Sequence, residues 1–137
     1  MYAVSTPDLE LNEAWVDSDE RKRVHVTFPI SALTGAQASA VVYFKVQPGE
    51  TLATHTDSAE EILYIVAGEG EAIVGDERGR IRAGDLALIP ELVPHGLVND
   101  GDEPLEVVGF FAAAEVESNF FEPLQPMGQP LVSIGVA

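Results

Sequence analysis

The sequence contains no cysteine, so disulfides, thiolate-bound zinc, iron–sulfur clusters and cysteine nucleophiles are all excluded. Basic residues are scarce: 7 Lys and Arg stand against 23 Asp and Glu, for a formal net charge of −16. Such a surface repels phosphate backbones and anionic lipids, which argues against nucleic acid and membranes as partners. No apolar run approaches membrane-spanning length, and no basic stretch followed by an apolar one opens the chain. A soluble, cytoplasmic protein is therefore expected. There is no glycine-rich loop followed by lysine to cradle a phosphate, and Ser58 lacks the surroundings of a nucleophile elbow.

What is present suffices for one domain. The 137 residues are 46% hydrophobic, enough to build a core. Residues 1–23 are polar and acidic and read as an N-terminal arm, with one short helix after Asp8. From residue 24 the chain breaks into short β-rich runs at 24–28, 40–47, 51–56, 61–67, 70–74, 80–82, 86–89, 95–99 and 105–112. Gly, Pro, Asn and Asp separate them. This texture predicts an all-β sandwich or barrel over 24–114 rather than βαβ units. Residues 115–137, with Pro123, Pro126 and Pro130, read as an extended C-terminal tail excluded from central strands.

Two of these runs are apolar on both faces. If Glu61 points inward, Ile62, Tyr64 and Val66 point outward, and Val41 and Tyr43 join them from the run at 40–47. An apolar patch of that kind needs cover from the tail, the arm or a second copy, and a homodimer is expected through Tyr43, Ile62, Tyr64 and Val66.

The chemistry-bearing residues lie in two segments. In the first, His55 and Asp57 are two apart on one strand and share a face. After a turn at Ser58-Ala59, Glu61 opens the next strand and can return beside them. One imidazole and two carboxylates near one point suit a divalent ion, although an exposed acidic turn with an incidental histidine reads equally well from this segment alone. In the second segment a strand ends at Pro90, and His95 opens another. His25, on an alternating strand outside both segments, reads as a surface or hydrogen-bonded side chain, and Asn99 as a turn-closing residue.

Taken together, the segments resemble the paired signature motifs of the cupin superfamily. Gly49, His55, Asp57, Glu61 and Gly68 fall at the spacings of the first motif, and Gly84, Pro90, Leu92, His95 and Asn99 at those of the second. Asp57 stands where a histidine is usual, and Leu92 where a glycine is usual. The resemblance implies a double-stranded β-helix, or jelly-roll, barrel holding a metal through His55, Glu61 and His95, with Asp57 in the fourth place. Two imidazoles and two carboxylates around a divalent ion form a formally neutral site. Such a site favours Mn²⁺ or Fe²⁺, with Zn²⁺ or Ni²⁺ as further options. If Asp57 swings away, two histidines and one glutamate remain, as in the facial triad of non-haem iron oxygenases. The resemblance leaves open a metal-dependent enzyme of dioxygenase or isomerase type, a small-ligand-binding or sensing protein, and a metal-free structural relative. The enzyme acting on a small-molecule substrate is the reading favoured.

Overall fold

In strand Glu61–Ala67, Glu61, Leu63 and Ile65 are buried while Ile62, Tyr64 and Val66 are exposed. That period of two recurs along the chain in a computed structural model describing residues 1–137. Twelve strands follow one another: β1 (Asn12–Val16), β2 (Asp19–Ile30), β3 (Ala40–Val46), β4 (Thr51–Asp57), β5 (Glu61–Ala67) and β6 (Glu69–Val74), then β7 (Glu77–Arg82), β8 (Leu86–Ile89), β9 (His95–Val98), β10 (Leu105–Phe111), β11 (Val116–Leu124) and β12 (Gln129–Ile134). No helix is long and apolar enough to cross a membrane.

One sheet runs β1-β2-β3-β10-β5-β8 and the other β7-β6-β9-β4-β11-β12. They join through a parallel contact of β2 with β4 at Lys22 and Thr51. Every other pairing between strands is antiparallel, as expected for a curled jelly roll of hairpins and Greek-key connections. Between the sheets lies a single core that includes Val42, Phe44, Val46, Leu63, Ile65 and Val107.

The two segments read as arm and tail take part in these sheets. In place of a helix after Asp8 there is a single 3-10 turn, Thr6–Asp8, and residues from Asn12 pair with β2 as a hairpin. The tail forms the hairpin β11–β12, and β11 pairs with β4 through Ser118, Asn119 and Phe120. Its prolines are accommodated because the β4 ladder ends at Phe120, before Pro123. Pro130 lies in β12, which pairs with β11 alone and can spare a donor on its free edge.

Both hairpins leave the outer face of β10, β5 and β8 uncovered. Across it runs a row of Leu88, Ile62 and Phe110, flanked by Leu86, Tyr64 and Val66, all six exposed. Tyr43, expected in this patch, is buried instead, and its hydroxyl donates to the Glu106 carboxylate.

Candidate metal centre

The site begins with a miscount in a strand. On β4, Leu52 pairs with Leu97 of β9 and His55 pairs with His95, so three steps on one strand match two on the other. This bulge inserts one residue. Without it, Leu52 and His55 would face opposite sides; with it, Leu52, His55 and Asp57 are all buried. The strands press together here, and a Cβ on Gly96 would lie 2.7 Å from the Leu52 carbonyl oxygen, so no larger residue fits.

Each imidazole is then fixed by its own backbone. His55 Nδ1–H donates to the Ala53 carbonyl at 2.8 Å, and His95 Nδ1–H donates to Val93 at 2.9 Å. Both Nε2 atoms are left to face the interior, the arrangement in which imidazole binds a metal. His95 Nε2 lies 3.1 Å from Asp57 Oδ2 and 3.6 Å from Glu61 Oε1, and His55 Nε2 lies 3.7 Å from Asp57 Oδ2. Donor atoms sharing one ion at ~2.1 Å stand about 3.0–3.5 Å apart, so these separations need little adjustment.

The structure thus places all four expected residues at one end of the barrel interior, but not equally. The donor atoms of His55, Asp57 and His95 all lie within 4.8 Å of one another. Glu61 approaches His95 and stands outside that triangle. Asp57 is the hub. Its Oδ1 accepts from the Ser118 hydroxyl, while Oδ2 is buried beside His95 Nε2 with no hydrogen-bond partner for either.

The electrostatics couple these four side chains closely. Burial presses His95 toward neutrality, but contacts with the Asp57 and Glu61 carboxylates outweigh it and bring its pKa up to about 10. Burial of Asp57 works against its charge too, yet His95, His55 and Ser118 hold it below the ordinary carboxylate range. Glu61 is pushed up by burial and by Asp57, with His95 opposing. His55 is pushed down to about 4 by burial and by the neighbouring His95 cation. One proton on His95 binds two carboxylates together; a divalent ion in the same position would do so with twice the charge.

Sequence reasoning missed three contributors. Ser118 and Phe120 come from β11; Phe120 stacks on His55 with ring centroids 4.6 Å apart. Their signal was the alternation Val116, Ser118, Phe120, an inward face carrying one hydroxyl among apolar residues. Gly109 is the third, across from Leu63 on β5 and packed against the Glu61 carboxylate. His25, by contrast, sits away from the site, 3.7 Å from Glu50, and Asn99 is a buried brace. Its amide donates to the Val46 and Glu103 carbonyls. Leu92, at the motif position where glycine is usual, adopts a left-handed backbone with φ of 61°, and its N–H donates to the Asp57 carbonyl.

Above the ligands opens a cavity of about 630 Å³, bounded by both sheets and rimmed by β1 and the β11–β12 hairpin. A jelly-roll barrel with a buried cluster of imidazoles and carboxylates at the base of such a cavity defines a class of metal-binding proteins. Residues 42–111, just over half of the chain, match the family model of the cupin domain, and the chain belongs to the cupin family. It is 33% identical over 94 residues to a gentisate 1,2-dioxygenase from Ralstonia sp, covering 66% of this chain but only 26% of that protein. Among solved structures it resembles an oxalate decarboxylase from Lactobacillus farciminis. There the TM-score is 0.68 at 25% identity, over 72% of this chain and 31% of that one. The fold of a polyketide cyclase from Streptomyces resistomycificus also matches, with a TM-score of 0.67 at 19% identity over 81% and 78% of the two chains.

Proposed function

We propose that this chain is a divalent-metal-dependent enzyme of dioxygenase or isomerase type, with His55, Asp57, His95 and Glu61 as ligands and Mn²⁺ or Fe²⁺ as the ion. The observation that carries this reading is the buried convergence of His95 Nε2 with Asp57 Oδ2 at 3.1 Å and Glu61 Oε1 at 3.6 Å, in which Asp57 Oδ2 and His95 Nε2 make no hydrogen bond. Buried polar atoms cost free energy unless something satisfies them, and a cation is what this set of atoms would bind. Bound there, a divalent ion supplies Lewis-acid polarisation of a substrate oxygen and, if redox-active, one-electron chemistry. The chain's own residues orient the substrate and exclude water: Phe120 covers the His55 ring, and apolar walls enclose the approach. The dioxygenase name of the Ralstonia relative supports the reaction type.

A second reading, a non-catalytic binder of small molecules, is favoured by one observation. Outside the ligands, the only titratable side chain lining the cavity is Glu13, on β1 at the rim. Metal analysis of protein purified without added metal, followed by oxygen-uptake assays across phenols and diketones, separates the two. Metal bound without turnover favours the binder, and absence of any bound metal defeats both metal readings.

The chain is further proposed to act in the cytoplasm as a homodimer. At a net charge of −16, two copies repel over most of their surface. The outer face of β10, β5 and β8 is a broad apolar exception, and two copies can meet there without opposing carboxylates.

A further inference from the structure

We infer that the cavity takes an uncharged, largely hydrocarbon molecule that turns one or two oxygen atoms toward the ligands, and that it rejects carboxylates. The orientation rests on the metal reading above; the preference for a neutral guest rests on the walls alone. Sixteen of the 26 residues lining the cavity are hydrophobic, among them Val26, Phe28, Phe44, Phe111 and Leu124. None is Lys or Arg. The basic residues lie elsewhere, at 21–23, 45 and 78–82, and several are already paired with carboxylates. Arg23 pairs with Glu13 and lies over the Trp15 ring, Arg78 pairs with Glu71, and Arg80 pairs with Asp100.

A carboxylate entering this space would find no lysine or arginine among the lining side chains to pair with. The Nδ1 hydrogens of both imidazoles are taken by backbone carbonyls, and Asp57 and Glu61 already occupy the base. With a divalent ion bound, the two ligand carboxylates already balance its charge, so an anionic guest would leave a net negative charge in an apolar cavity. An unpaired buried charge is among the costliest arrangements a protein interior can hold. At the rim the polar side chains Asn12, Gln129 and Ser133 are uncharged, and the acidic Glu13 is paired with Arg23. Gentisate and oxalate, after which two of the relatives are named, are both carboxylates, so the guest of this chain belongs to a different class.

The test uses two probes on the same ring system, 2-naphthol and 2-naphthoate, titrated calorimetrically at pH 7 into metal-free and Mn²⁺-loaded protein. The expected result is 2-naphthol binding at least about tenfold tighter in both forms. Equal or tighter binding of 2-naphthoate overturns the inference, and so does failure of both probes to bind. Leu131→Arg places a cation at a partly exposed position on the cavity wall, where a long side chain is tolerated. It should strengthen 2-naphthoate about tenfold while changing 2-naphthol far less; no gain for 2-naphthoate would mean that the probes bind elsewhere. Metal content measured on the same samples keeps the two readings apart. Protein that never takes up metal but still prefers 2-naphthol loses the metal reading and keeps this one.

Discussion

Glu61 and Gly109 occupy neighbouring strands so closely that a Cβ on Gly109 would lie 2.2 Å from Glu61 Oε2 and 2.7 Å from Val42 Cγ1. The glycine is the space into which the glutamate folds. Gly109→Ala should drive the carboxylate off its position beside His95 and lower metal affinity by roughly 10–100-fold. Crowding in the core should cost about 1–3 kcal/mol of stability as well. A competition titration against a metal indicator reads the first effect and urea denaturation the second; unchanged affinity would remove Glu61 from the ligand set.

Asp57, the residue that departs from the common motif, is central to the cluster. Asp57→His adds an imidazole and raises the formal site charge by one, so binding should shift toward Ni²⁺, Cu²⁺ or Zn²⁺ relative to Mn²⁺. Asp57→Ala should weaken Mn²⁺ and Fe²⁺ without unfolding the barrel. Metal preferences unchanged in both variants would make Asp57 a turn residue only.

Leu92 pays for its left-handed backbone, φ 61°, with local strain, and its side chain is exposed and contributes little to the core. Leu92→Gly should relieve about 1 kcal/mol, less the extra freedom glycine gives the unfolded chain. Thermal denaturation should show a small rise in Tm; a fall would mean that Leu92 makes contacts outweighing the strain.

The Tyr43 phenol is pushed from its ordinary 10.0 to about 12, first by burial and then by the Glu106 carboxylate that accepts its proton. The unfolded chain therefore loses this proton before the folded one does. Stability contributed by Tyr43 is complete below pH 10 and drains away as pH rises toward 12. Tyr43→Phe has no proton to lose, so its unfolding free energy should fall less steeply over that interval. Parallel slopes for the two proteins would contradict the assignment.

Sedimentation at micromolar concentration should find a dimer, and Phe110→Asp on the outer face should convert it to a monomer. Since like charges oppose the association, added salt should tighten it. A wild-type chain that stays monomeric in both low and high salt would leave the face without a partner.

The strands from 24 to 112 were legible because short β-rich runs are separated by turns marked with glycine, proline, asparagine and aspartate. Period two puts His55 and Asp57 on one face from spacing alone, whereas His95 joined them only through the resemblance to the cupin motifs. Three things were not. The bulge before His55 leaves no mark on local pattern, being a relation between two strands rather than a property of one. Tyr43 looked like an outward residue because alternation fixes its direction but says nothing of Glu106 reaching over from β10. The tail was misjudged because its prolines argue against strands in general, whereas here they fall where the ladder to β4 has already ended.

The β11–β12 hairpin therefore separates two kinds of inheritance. The candidate ligands all fall within residues 42–111, the stretch shared with the family, whereas Ser118, Phe120, Leu124 and Leu131 fall beyond it. The cavity wall is thus built partly inside that stretch, by residues such as Phe44 and Phe111, and partly beyond it. A foreign hairpin grafted after residue 115 would then replace part of the cavity wall and take the Ser118 hydroxyl from Asp57 and the Phe120 ring from His55, while leaving the four candidate ligands in place.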